Sequence, residues 1–213
     1  MSTSKGNDKT TGGSTREHTD LRVARTREAI RSAFTDMICE MDYEQITIKE
    51  LAERARVNRK TFYLHYDSLD DLLGEMQNEM SDRFMQMIKD LKPPYDMDKI
   101  TRAFFLSMEE SGKFGERLAC SGNYQYINHR MVSAIMRDTW KDENEKAQDS
   151  YLQNIVMAYV SQSTLAIYRQ WVADKKRIPL DDIIQITITL VCNGLDALLE
   201  SSYKPSGKQP RKK

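Results

Sequence analysis

Residues that break helices are scarce: 9 glycines and 5 prolines occur in 213 residues, which leaves room for long uninterrupted helices. Cysteine is scarcer still. Cys39, Cys120 and Cys192 are odd in number, far apart and without a CxxC spacing. A disulfide framework and a cysteine-built metal site are therefore not expected, and buried free thiols in a reducing compartment are. No long hydrophobic run occurs either. The most apolar stretch, Ile183 to Val191, is interleaved with Gln185, Thr187 and Thr189 and falls short of the roughly 18 residues a membrane span requires. The first twenty residues have no apolar segment of the kind a secretory signal carries, so a cytoplasmic protein without membrane contact is expected.

The signatures of common catalytic sites are missing as well. There is no Gly-rich phosphate loop, no HExxH and no Gly-x-Ser-x-Gly elbow, so the chain does not read as an enzyme. The adjacent carboxylates Glu109-Glu110 and Asp181-Asp182 read as helix-surface and helix-start charges. Neither His18 nor His129 has a Cys, Asp or Glu three or four residues on, so no metal and no cofactor are expected.

What is present is a soluble, globular composition, 39% hydrophobic and 30% charged, with enough length for a small domain and a larger one. Net charge is zero, but the charges are unevenly placed. Residues 1–66 carry about +2, residues 67–203 about −7 and residues 204–213 about +5. Contact with a polyanion belongs to the first third of the chain. The basic end reads first as a solubilising tail.

Periodicity organises the rest. Residues 1–20 are Ser/Thr/Gly/Lys-rich and read as a disordered tail. From Leu21 a helical pattern begins, with Ala29, Ile30, Ala33, Phe34, Met37, Ile38 and Met41 at three- and four-residue steps. Thr47 and Glu50 form a Thr-x-x-Glu capping box that starts a short second helix. Asn58 is a good N-cap for a third, from Arg59 to about Tyr66, and Ser68 with Asp71 starts a fourth that runs to about Asp90. Pro93-Pro94 marks a boundary. Further helices are expected near 97–111, 125–140, 146–174 and 181–202, with Gly112, Gly115, Gly122 and Pro179 as interruptions. The fold class is all-α: a helix-turn-helix domain at 21–67, a larger helical bundle at 68–203 and a basic tail at 204–213.

Two short helices joined by a tight turn satisfy the helix-turn-helix description, though such hairpins are common in any bundle. The content of the third helix is more specific. Arg59, Lys60, Thr61, Tyr63 and His65 set hydrogen-bond donors along one side and at its N-terminal end, while Phe62 and Tyr66 can face inward. Recognition helices present their N-terminal residues to base edges. Each of these residues alone would read as ordinary surface or packing; the spacing of the whole set is what favours a nucleic-acid surface.

The stretch Thr47-Ile-Lys-Glu-Leu-Ala-Glu-Arg-Ala-Arg-Val-Asn-Arg-Lys-Thr-Phe-Tyr-Leu-His-Tyr, followed by Ser-Leu-Asp-Asp-Leu-Leu, resembles the DNA-binding domain of the tetracycline-repressor (TetR) family. The resemblance runs from about Arg22 to Leu73. It implies a homodimer that binds a palindromic double-stranded DNA operator, usually as a repressor, with a divergent C-terminal ligand-binding domain. It implies phosphate contacts from Thr47, Tyr63 and His65 and major-groove contacts from Arg59, Lys60 and Thr61. Lys49 and Asn58 complete the expected DNA-binding set. Two positions depart from the family pattern. Arg56 stands where the family usually has Gly in the turn, which would place an arginine in the left-handed region. Asp67, Asp70 and Asp71 flank the fourth helix's start, where the family tends to place a Lys.

Aromatic and Met side chains crowd the apolar faces of the C-terminal domain. A stripe of this kind is ordinarily core. The resemblance raises a second reading, a pocket for a small apolar or aromatic effector lined by Phe104, Phe105, Met108, Tyr126, Met136, Trp140 and Tyr159. The last two helices are the expected dimer seam, through Tyr151, Ile155, Tyr159, Gln162, Ala166 and Arg169 on one and Ile184, Ile188, Val191, Leu195 and Leu198 on the other. The alternative to a DNA-binding regulator is a non-enzymatic helical interaction or sensor protein that has lost operator binding.

Overall fold

The computed structural model describes residues 13–93, 95–121 and 147–200. All its regular structure is helical: α1 (Gly13–Glu40), a 3-10 turn at Tyr43–Gln45, α2 (Ile48–Arg54), α3 (Arg59–Tyr63), α4 (Leu69–Ile88), α5 (Met97–Glu110), α6 (Gly112–Cys120), α7 (Ala147–Ala173) and α8 (Leu180–Glu200). Packing divides the chain into two units, Met1–Glu75 and Met76–Lys213, with the division inside α4. The helix expected at 125–140, the basic tail and the first twelve residues lie outside the described residues.

In the first unit α2 packs on α1 and α3 on α2. The core is Ile30, Phe34, Met37 and Ile38 of α1, Leu51 and Ala52 of α2, Phe62 and Tyr66 at α3, and Leu72 and Leu73 of α4. The caps are those the side chains dictate. Thr47 Oγ1 accepts from the Glu50 N–H at 3.2 Å, Asn58 Oδ1 from the Thr61 N–H at 2.7 Å, and Ser68 Oγ from the Asp71 N–H at 3.0 Å. One expectation fails. Helix α1 begins at Gly13, inside the stretch expected to be a tail. Once a helix is nucleated, each further residue adds one hydrogen bond for one residue fixed, so a polar sequence with few breakers can extend a helix whose core-facing part lies further on.

Helix α2 ends in a Schellman motif: the Val57 N–H donates to the Ala52 carbonyl at 2.9 Å and the Arg56 N–H to the Glu53 carbonyl at 3.1 Å. Arg56 takes φ 54, the left-handed conformation its departure from glycine implies. Holding a side chain there costs on the order of 1–2 kcal/mol, partly offset by the lower chain entropy of a non-glycine residue. Replacing Arg56 by Gly is therefore expected to raise stability by about 0.5–1 kcal/mol, read as a higher urea midpoint at unchanged slope.

In the second unit α5 packs on α8 and α6, and α7 on α8 and α6. Phe104, Phe105, Tyr168 and Trp171 form one aromatic cluster, with Phe105 5.7 Å from Tyr168 and 6.1 Å from Trp171 between ring centroids. At the end of α7 the Trp171 indole N–H donates to the Ile178 carbonyl at 2.7 Å. Lys176 lies over the Trp171 ring, bonded to Glu109 and, at 2.6 Å, to Glu116. Helix α6 was not expected, because Gly112 and Gly115 read as interruptions. Gly112 does break the helix, at φ 52. Gly115 is buried inside α6, where an added Cβ would sit 2.6 Å from Ser111 Cβ; it permits a close approach and does not end the element.

The expected dimer seam needs correction. Ile184 and Val191 are buried within the chain, at 0% and 1% exposure, and Arg169 donates to the Ala119 carbonyl of α6. Among the described residues, the large apolar side chains that α8 leaves exposed are Ile186 and Leu190, with Ile188 half-buried; those of α7 are Ile155 and Tyr159, with Gln162 and Ala166 also exposed. The side chains of Tyr151, Leu195 and Leu198 are outside the described set. The sulfurs correct a second expectation: against the buried thiols expected, Cys39 and Cys120 are exposed and Cys192 is half-buried. No helix among the described residues is long and apolar enough to cross a membrane.

Candidate nucleic-acid interface

Helix α3 is short, so its orientation depends on anchors at both ends. At its start, Asn58 Oδ1 accepts from both the backbone N–H and the hydroxyl of Thr61, the latter at 3.0 Å. Along its length Phe62, fully buried, meets the Tyr63 and Tyr66 rings at 5.6 and 5.8 Å. Beyond its end, the Tyr66 hydroxyl donates to Glu75 of α4 at 3.2 Å. The same carboxylate receives Arg31 at 2.9 Å and Arg27, and Arg27 also lies 5.1 Å over the Tyr66 ring.

Burial alone would raise the Glu75 carboxyl, but the hydrogen bonds from Arg27 and Tyr66 and the two guanidinium charges outweigh it and hold the group below its ordinary value. Its stabilisation is thus present above the ordinary glutamate range and is lost as pH falls through the lowered value. The network occupies Arg27 and Arg31, two cations that composition alone would assign to a DNA surface. It was not legible in sequence, since the partners lie 44 and 48 residues apart.

With Phe62 and Tyr66 inward, α3 turns Arg59, Lys60, Tyr63 and Leu64 to solvent, and His65 is half-buried. Among the described residues, no ion pair engages Arg59 or Lys60. Leu64 was not singled out from sequence, yet it is 80% exposed, beside Lys60 and Tyr63 by helical spacing. An apolar side chain at this place suits a thymine methyl.

Three expected contact residues also have structural tasks. The single hydroxyl proton of Thr47 is donated to Glu50 Oε2 at 3.0 Å, and that of Thr61 to Asn58. A hydroxyl has one donor, so either threonine must turn away from its capping partner to donate to phosphate. Asn58 uses its amide oxygen as the cap, which leaves the amide N–H groups. Lys49 is exposed on α2. The carboxylates at the start of α4 have partners too: Asp70 accepts from the Tyr43 hydroxyl, and Asp71 Oδ2 from the Asp67 N–H at 3.2 Å. They complete a cap and suit the helix dipole.

The four helices and the cap positions coincide with a family match: residues 31–76 fit the bacterial regulatory proteins of the tetR family. That segment is similar to tetR-family regulators. A stretch of 58 residues is 45% identical to YxbF, an uncharacterised HTH-type transcriptional regulator of Bacillus subtilis (strain 168); it covers 27% of this chain and 15% of that relative's length. Likeness in fold extends past the matched segment. A TetR transcriptional regulator from Streptococcus agalactiae 2603V superposes with a TM-score of 0.61 at 21% identity, covering 83% of this chain and 98% of the other. NalD of Pseudomonas aeruginosa gives 0.60 at 16% identity over 81% and 96%. FadR of Bacillus halodurans gives 0.57 at 14% over 80% and 96%.

Of the residues expected to line an effector pocket, Phe105 and Met108 are buried and Phe104 half-buried in the aromatic cluster. Tyr159 is not with them. It sits on the side of α7 opposite Tyr168, partly exposed, with its hydroxyl donating to the Leu190 carbonyl at 3.2 Å. Tyr126, Met136 and Trp140 lie outside the described residues. Among the described residues no group of three or more His, Cys, Asp or Glu is placed to hold a metal ion.

Proposed function

We propose that this chain is a non-enzymatic, cytoplasmic transcription regulator of the tetR family that binds a palindromic DNA operator as a homodimer and acts as a repressor. The observation that carries this reading is the set of side chains α3 turns outward. Lys60, Tyr63 and Leu64 share one face of a helix held from behind by Phe62, Tyr66 and Glu75, and Arg59 stands at its N-terminal end. In this reading Arg59 and Lys60 reach base edges, while Tyr63, His65, Lys49 and the Asn58 amide hold phosphates. Thr47 and Thr61 serve first as caps and partners to caps.

Base contacts and phosphate contacts fail differently. Lys60→Ala is expected to flatten the preference at one base pair of each half-site, a loss of about 1–3 kcal/mol, which is about 5- to 150-fold. His65→Ala and Tyr63→Phe should weaken all sequences alike and leave base preference unchanged. Binding to a panel of single-base operator variants separates the two. An unchanged preference in Lys60→Ala would remove base reading from that residue.

An effector in the second unit has its own support. Thr101 Oγ1, Thr164 Oγ1 and the Tyr168 hydroxyl are buried and have no hydrogen-bond partner among the described residues, whereas the hydroxyls of Ser107, Ser111 and Thr187 each bond a carbonyl one turn back. Thr101 precedes Phe105 by one turn on α5, and Thr164 precedes Tyr168 by one turn on α7. Burial pushes the Tyr168 phenol above its ordinary value, so it stays protonated. An aromatic or apolar effector bearing one polar group would satisfy what this core leaves open, each unmet group costing about 1–3 kcal/mol.

A further inference from the structure

Helix α1 runs well ahead of the core it serves. From Leu21 on, its first buried residue is Ile30, whereas Leu21 to Arg25 are all exposed, with Leu21 at 56% and Val23 at 42%. One face of this overhang forms an open groove of about 420 Å³ lined by Leu21, Arg22, Arg25, Thr26, Ala29 and Val57. Val57 is the residue immediately before Asn58, the N-cap of α3. The groove therefore runs beside the entrance of the helix to which base reading is assigned. Its floor is apolar, from Leu21, Ala29 and Val57, and Arg22 and Arg25 stand along its length.

The four arginines of this part of α1 divide into two pairs. Arg27 and Arg31 face Glu75 and are neutralised there. Arg22 and Arg25 lie on the other side of the helix, and among the described residues neither has an acidic partner. Thr26, which also lines the groove, spends its hydroxyl on the Arg22 carbonyl at 2.9 Å. Two uncompensated guanidinium groups beside an apolar trough match the charge of a phosphate backbone and the apolar faces of its sugars.

We infer that this groove is a second DNA contact, which seats the sugar-phosphate backbone flanking each half-site: deoxyribose against Leu21, Ala29 and Val57, and phosphate oxygens on Arg22 and Arg25. The inference rests on the proposed DNA-binding function and lengthens the footprint of each protomer beyond what α2 and α3 reach. Its chemistry is sequence-independent. Planar guanidinium groups give charge-assisted, bidentate bonds to phosphate, and such contacts position the protein without reading bases.

The test uses the full-length protein and an operator selected by the wild type, carried on duplexes with and without flanking base pairs. Arg22→Ala/Arg25→Ala should lower the slope of log affinity against log salt by about 1.8 per half-site and weaken binding roughly 30-fold per half-site at physiological salt. Base preference should not change, and trimming the flanks should no longer matter to the variant. Thermal unfolding should match wild type, since both side chains are exposed; Arg22→Lys/Arg25→Lys should keep most of the slope. An unchanged slope in the alanine variant, with wild-type protein still binding its operator, would overturn the groove contact and leave the function standing. Wild-type protein that binds no DNA would remove both.

Discussion

Glutamate in place of Leu190 is expected to yield a folded monomer that no longer binds operator, whereas glutamate at the next position, Val191, is expected to yield an unfolded chain. The two residues are adjacent in sequence and opposite in environment, 60% and 1% exposed. In the proposed dimer Leu190, Ile186, Ile155 and Tyr159 form the apolar face that a second copy covers, and a charge there costs only the association. A charge at Val191 would have to be taken out of water against Ile184 and its neighbours, at several kcal/mol, a large share of the roughly 5–15 kcal/mol that holds a domain together. Sedimentation velocity with far-UV circular dichroism distinguishes the outcomes. Operator affinity of Leu190→Glu should fall at least 100-fold, because two half-sites are then no longer bound as one event. A wild-type chain that sediments as a monomer at micromolar concentration would remove the dimer from the proposal.

The second large effect is expected at Phe62. Its ring is fully buried between Tyr63 and Tyr66 and is the hydrophobic anchor of a helix of five residues, too short to hold its shape unaided. Phe62→Ala should cost about 3–5 kcal/mol, through the burial of the ring that is forfeited and the cavity left behind. For a chain of this size that is a fall of roughly 6–20 °C in unfolding midpoint, with loss of operator binding. Tyr63→Phe provides the contrast: an unchanged midpoint with weaker DNA binding. Equal thermal stability of Phe62→Ala and wild type would mean that α3 is not anchored as described.

What could be read from the sequence was what local chemistry decides. The starts of α2, α3 and α4 follow from Thr47, Asn58 and Ser68, and each side chain makes the backbone bond its type implies. The inward turn of Phe62 and Tyr66 followed from helical spacing, and the left-handed Arg56 from the missing glycine. What could not be read depended on distant partners. Helix α8 is apolar on more than one side, so periodicity could not tell the stripe of Ile184 and Val191, which the chain buries itself, from that of Ile186 and Leu190, which it leaves out. Gly115 looks the same in sequence whether it breaks a helix or lets one pack closely. Arg22, Arg25, Arg27 and Arg31 form one basic run in the sequence; only the fold shows that Glu75 takes two of them.

Whether α3 of a paired molecule reads DNA is decided by offering the protein a pool of random duplexes and sequencing what it retains. Enrichment of an inverted repeat is expected, with half-site centres about one helical turn apart, roughly 34–36 Å, and retention that falls steeply as salt is raised. A pool that stays random at low salt, or one whose enriched motif is the same for wild type and for a variant with both Arg59 and Lys60 replaced by alanine, would contradict it.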